Sequence, residues 1–169
     1  MRAKSSACCD FARLARSVAA IGFGLALVAA VGLAQFTGFS AVSIERSSGV
    51  ELSPGTVVEV PVAIKIRKGY HINSNQPLES YLIPTKLSWD AEPLTVKSVE
   101  YPEAEEVKYS FSEQPLSVYS SRVVIQSAFQ VPQNIADMTE LKGKFRFQAC
   151  NDKACLAPKT IDVTIPIRR

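Results

Sequence analysis

Between residues 56 and 66 the sequence TVVEVPVAIKI sets Val58, Val60, Val62, Ile64 and Ile66 at every second position, with Glu59 and Lys65 between them. A period of two belongs to a strand that buries one face and wets the other. The pattern returns from Tyr119 to Val131, where Tyr119, Val123, Ile125, Phe129 and Val131 share a parity. It returns again at Phe145 and Phe147 within 144–149, and at Ile161, Val163, Ile165 and Ile167. Weaker strand signals lie at 42–46, 85–89 and 94–101, which makes about seven strands. Breakers separate them: SPG at 53–55, the Lys68–Gly69 pair, and prolines at 77, 93, 102, 115 and 132. After residue 39 no window repeats apolar residues at three and four positions, so these strands have only one another to pack against. The pattern predicts an all-β, immunoglobulin-like β-sandwich, preceded by an N-terminal signal or anchor segment.

That leading segment has the layout of an export signal. Arg2, Lys4, Arg13 and Arg16 precede an uncharged apolar run from Val18 to Ala34, and Gly32 with Ala34 fits a small-x-small cleavage site that would leave Gln35 first. Uncleaved, residues 18–39 are long enough to stay as a membrane anchor. In both cases the basic cluster keeps the start of the chain inside and sends the rest across the membrane. The expected organisation is residues 1–34 as signal or anchor, 35–48 as a short tether and 49–169 as the folded domain. Electrostatics agree with a separate leader. The chain carries 19 Lys plus Arg and 16 Asp plus Glu, but four of those cations and Asp10 lie in residues 1–34, leaving the remainder formally neutral. A neutral domain has few unpaired cations with which to release counterions from phosphates, which argues against nucleic acid as a partner.

Four cysteines fall into two groups. Cys8 and Cys9 sit ahead of the apolar run, no lipobox follows it, and no role is assigned to them. Cys150 and Cys155, in FQACNDKACLAP at 147–158, are the thiols of the exported part, and an oxidising compartment favours pairing them. A ring of about six residues stabilises by roughly 2 kcal/mol in the chain-entropy account, against nearly 5 kcal/mol for a ring of about 100 residues. So short a bridge is a weak staple, and it can be opened and closed without dismantling a fold, as a redox carrier requires. A structural hairpin disulfide on a non-catalytic immunoglobulin-like binding module fits the same spacing, and both readings stand at this point.

Other chemistries find less support. One Cys pair and the single His71 do not complete a tetrahedral zinc set. A thioredoxin site needs CxxC at the start of a helix in a βαβ unit, whereas four residues separate these thiols. No Ser, His and acid set and no glycine-rich phosphate loop occurs. His71, in GYHINS at 69–74, is either a hydrogen-bonded structural residue or a modulator of a thiolate. Tyr70 and Trp89 read as core or its rim, and Lys153 and Asp152 inside the cysteine loop oppose each other in their effect on a thiol. The acidic stretch YPEAEEVKYSFSEQ at 101–114 breaks the alternation and reads as a loop, either functional or a solvated connection.

The string QACNDKACLAP, followed by a last strand, resembles the cysteine motif of the amino-terminal periplasmic domain of the DsbD thiol:disulfide interchange proteins. GYHINSNQP at 69–77 and LIPTKLSW at 82–89 resemble the part of that family which follows its long early strand, and the likeness spans about residues 45–167. It implies an immunoglobulin-like domain in the periplasm that takes electrons from a membrane-embedded or thioredoxin-like donor and passes them to oxidised exported proteins, as one component of protein-disulfide reduction. The sulfur pair carries the electrons, so neither cofactor nor metal is implied. By the same resemblance Cys155 is the exchanging thiol, Cys150 the resolving one, and the stretch with Tyr109, Phe111 and Glu113 the cap loop that shields them. These 169 residues hold neither the multi-helix membrane domain nor the thioredoxin-like domain of a full-length DsbD, so separate partners are expected to supply electrons.

Overall fold

The computed structural model describes residues 40–135 and 137–168, so the expected signal or anchor at 1–34 lies outside the described residues. The described residues form twelve strands and no helix: β1 (Val42–Ile44), β2 (Val50–Glu51), β3 (Val57–Ile66), β4 (His71–Asn73), β5 (Lys86–Asp90), β6 (Thr95–Glu100), β7 (Glu105–Val107), β8 (Leu116–Ser120), β9 (Arg122–Gln130), β10 (Glu140–Phe147), β11 (Ala149–Cys150) and β12 (Lys159–Arg168). Two four-stranded sheets, β1-β3-β9-β6 and β2-β12-β10-β5, make the sandwich. A third, smaller sheet has the order β11-β4-β8-β7.

The strands predicted from alternation build the sandwich. In β3, Val60, Val62, Ile64 and Ile66 are buried, and β9 answers with Val123, Ile125 and Phe129 across an antiparallel register that sets Val62 opposite Ile125. On the second sheet Leu141, Phe145 and Phe147 of β10 face inward beside Val163 and Ile165 of β12. Burying each such side chain contributes about 1.5–3 kcal/mol. Trp89 of β5 packs at the rim, edge-on to Phe129 with ring centroids 5.3 Å apart, and its Nε1 donates to Ser127 Oγ at 2.9 Å. Its ladder partner is Gly143, where a Cβ would lie 2.7 Å from the indole, so glycine makes room for the ring. Val42 pairs with Ile66, and both Ala41 and Val42 are buried, so packed residues precede position 49.

The small sheet is made by strands that leave the sandwich. β3 continues into β4 through a turn in which Tyr70 N donates to Arg67 O at 2.9 Å and Gly69 takes φ +84°, the left-handed conformation such a turn requires at its third residue. β8 continues into β9 through Ser121, at φ 58°, whose carbonyl accepts from Ile66 N at 2.7 Å. β10 steps past Gln148 into β11. The single strand expected from Tyr119 to Val131 is therefore two strands in different sheets, and the stretch read as a loop at 101–114 contains β7.

Candidate functional site

β10 delivers the chain to Ala149 and Cys150, both buried, and a tight hairpin then reverses it. Asn151 dictates the turn: its Oδ1 accepts from the backbone N–H of Lys153 and of Ala154, each at 2.9 Å, the side-chain-to-backbone pattern for which Asn is favoured. Asn151 N donates to Ala154 O at 3.0 Å and Leu156 N to Ala149 O at 2.8 Å. Gln148 Nε2 reaches over to Leu156 O at 3.2 Å. Cys150 and Cys155 face each other between those backbone bonds as an antiparallel bridge, with Cα atoms 3.9 Å apart, and are joined by a disulfide. Hydrogen bonds, not the sulfur bond alone, align the hairpin.

The two sulfur-bearing residues differ in access. Cys150 is 1% exposed, whereas Cys155 is an exposed residue. Beside Cys155 runs an open groove of about 520 Å³ whose walls include Tyr81, Leu82, Phe111, Glu113 and Leu116. Tyr81 is 72% and Phe111 45% exposed, so two large apolar side chains face solvent next to the accessible cysteine.

His71 is buried and is the ladder partner of Cys150 on one side and of Ser120 on the other. Tyr109 stacks on its ring at a centroid distance of 4.2 Å, and Phe111 stacks on Tyr109 at 5.3 Å. The three rings run from the strand behind Cys150 to the groove beside Cys155. The loop bearing two of them is braced by Lys108 Nζ, which donates to Glu113 O, and by Ser112 N, which donates to Tyr109 O at 3.2 Å. Burial and the Glu105 carboxylate push the Tyr109 hydroxyl up from its usual value. Of the residues expected at the site, Cys150, Cys155, His71, Tyr109, Phe111 and Glu113 thus lie together, while Lys153 and Asp152 are exposed in the turn. Cys155 is walled by the loop rather than covered by it.

Tyr81 and Leu82 were not legible as site residues. They sit on the segment between β4 and β5, which is held by the polar run HINSN: Asn73 Nδ2 donates to Ile83 O at 2.9 Å, Thr85 Oγ1 to Asn73 O at 2.6 Å, and Tyr119 OH to Asn75 Oδ1 at 2.6 Å. Ser117 Oγ donates to Ser74 Oγ at 2.9 Å. The motif's polar side chains fix one wall of the groove.

A profile of the N-terminal region of the thiol:disulfide interchange protein DsbD matches residues 42–166. The chain belongs to this family. It is a family involved in thiol:disulfide exchange, and the chain carries a disulfide between the cysteines of the matching motif. Among solved structures, the N-terminal periplasmic domain of ScsB from Proteus mirabilis is similar at 12% identity and TM-score 0.48, over 74% of this chain and 44% of that one. This chain therefore spans less than half of the ScsB chain. The reduced DsbD N-terminal domain of Neisseria meningitidis is similar at 20% identity and TM-score 0.40, over 63% of this chain and 74% of that one. A complex of the DsbD and PilB N-terminal domains of Neisseria meningitidis is similar at 16% identity and TM-score 0.44, over 75% of this chain and 82% of that one. No curated protein matches the chain. Among the described residues no three His, Cys, Asp or Glu side chains gather as a metal site.

His71 Nε2 is buried without a hydrogen-bond partner, which costs about 1–3 kcal/mol. Burial also disfavours the imidazolium and lowers the pKa of His71 below its ordinary 6.5. On acidification the unfolded chain therefore takes up this proton first, and stability present above about 6.5 falls as pH drops through 6.5 towards the folded value. Urea midpoints of the disulfide-bonded protein should decline over that window, and His71→Asn should flatten the decline even if it lowers every midpoint. An unchanged slope in the variant would assign the decline to other groups.

Proposed function

We propose that this protein carries reducing equivalents in the periplasm, either soluble after cleavage of its leader or held at the inner membrane by residues 18–39. It takes electrons from a membrane-embedded or thioredoxin-like donor and passes them to oxidised exported proteins. The observation that carries this reading is the asymmetry of the pair: an exposed Cys155 and a buried Cys150 on a hairpin with its own hydrogen bonds. In the reduced protein the Cys155 thiolate attacks a partner's disulfide. A mixed disulfide forms and one partner thiolate leaves. Cys150 then attacks Cys155 Sγ, closing the intramolecular bond and releasing the partner's second sulfur as a thiolate, so two electrons pass to the partner. The loop with Tyr109, Phe111 and Glu113 acts as the cap that regulates access to Cys155.

Reduction potential separates this reading from a binding module with a fixed hairpin disulfide. Equilibrated against glutathione, the pair should give a value between about −120 and −270 mV, the range of exchange proteins. A value below about −300 mV would place the bond among structural disulfides and favour the binding module.

A further inference from the structure

We infer that His71 takes the proton from Cys150 as that thiol resolves the mixed disulfide on Cys155; the inference rests on the carrier reading above. Cys150 and His71 are direct partners in the β11–β4 ladder, so their side chains leave the same face with Cβ atoms about 4.5–5.5 Å apart. Cys150 is 1% and His71 3% exposed, so solvent has little access to the proton this thiol must lose. Burial in apolar surroundings holds a thiol in its unreactive protonated form unless a base stands beside it. The side chain placed there is an imidazole whose Nε2 has no partner, and the ring tautomer with its hydrogen on Nδ1 offers that nitrogen as an acceptor.

Other ionisable groups around His71 are less suited. Tyr109, stacked on the ring from the loop after β7, has its hydroxyl pushed up by burial and stays protonated. From β7, Glu105 is exposed and accepts from Ser120 Oγ at 3.0 Å, Ser120 being the ladder partner of His71 on β8. From β11 the facing group is Cys150 itself. Burial keeps the imidazole neutral near neutrality, ready to accept. In the resolving step the Cys150 S–H bond breaks and its proton goes to Nε2. The sulfur's electron pair forms the bond to Cys155 Sγ, and the mixed disulfide breaks with its pair on the partner's sulfur. The imidazolium then returns the proton to that thiolate or to solvent.

The test uses the full chain with Cys8→Ser and Cys9→Ser, unaltered elsewhere, so that Cys150 and Cys155 are its remaining thiols; it is reduced and mixed with the aromatic disulfide of thionitrobenzoate, whose thiolate is coloured. Attack by Cys155 releases a first equivalent and resolution by Cys150 a second, which Cys150→Ser should abolish. In the unaltered protein the second phase should reach a plateau through neutral pH, with an acid limb below 6.5. In His71→Asn and His71→Gln it should be about a hundredfold slower at neutral pH and keep rising into the thiol range, while the first phase is unchanged. An unaltered protein whose second phase rises into the thiol range with no lower limb overturns the inference, whether or not the variants fold. So do variants that slow both phases alike. Both of those results leave the carrier reading intact, whereas release of a single equivalent by the unaltered protein overturns the two together.

Discussion

Cys150→Ser is expected to turn the protein into a trap that accumulates partners as mixed disulfides on Cys155, while Cys155→Ser should bring exchange down to the buffer background. The reason lies in exposure. With Cys150 1% exposed, an incoming sulfur meets Cys155, and a bond formed there persists when the buried thiol is absent to displace it. Reductant should release the trapped partners, which can be read by comparing reducing and non-reducing gels of periplasmic extracts. Both variants should stay folded, because Asn151 and the backbone bonds around it hold the hairpin and the bridge itself contributes roughly 2 kcal/mol. Adducts on Cys150 in the Cys155→Ser variant would reverse the assignment, and adducts on neither would leave a structural disulfide.

Replacing both Tyr109 and Phe111 with alanine should speed reaction of Cys155 with a small thiol or alkylating agent by about tenfold. The loop is held beside Cys155, as one wall of its groove, by two ring stacks, His71 with Tyr109 and Tyr109 with Phe111. Each such pair contributes about 0.5–1.5 kcal/mol, and about 1.4 kcal/mol is a factor of ten in the population of an open loop. Global stability should fall by a similar amount, because Phe111 is already 45% exposed and lies outside the sandwich core. The readout is alkylation of the reduced protein against denaturant midpoint. An unchanged alkylation rate in a folded double variant would remove the loop from any role in controlling access.

The sandwich was legible because β3, β9, β10 and β12 are long enough for a period of two to repeat, each with one wet face. The sheet that carries the site was not. β4 and β11 have three and two residues, all buried, and in β8 Leu116, Ser117, Val118 and Tyr119 are buried in succession. A strand covered on both sides shows no alternation, and a strand of two or three residues has no period to show. Ser121 hides the break between β8 and β9 for another reason, since only its left-handed φ divides an otherwise continuous pattern. The cysteine spacing announced the sulfur pair directly. Its neighbours were harder to see: the segment that carries Tyr81 is tied down further along, where Asn73 Nδ2 donates to Ile83 O and Thr85 Oγ1 to Asn73 O, and the ring stack joins residues 71 and 109 across a fold that pattern alone does not close.

Because polar contacts within the reversal from Ala149 to Leu156 hold its backbone, opening the sulfur pair is expected to alter little of the contour that an approaching molecule feels. A visitor would then grip the loaded and the spent forms about equally well. For the proposed carrier, direction of flow would then come from the relative thirst of donor and recipient for electrons, and turnover from encounters loose enough to release each partner.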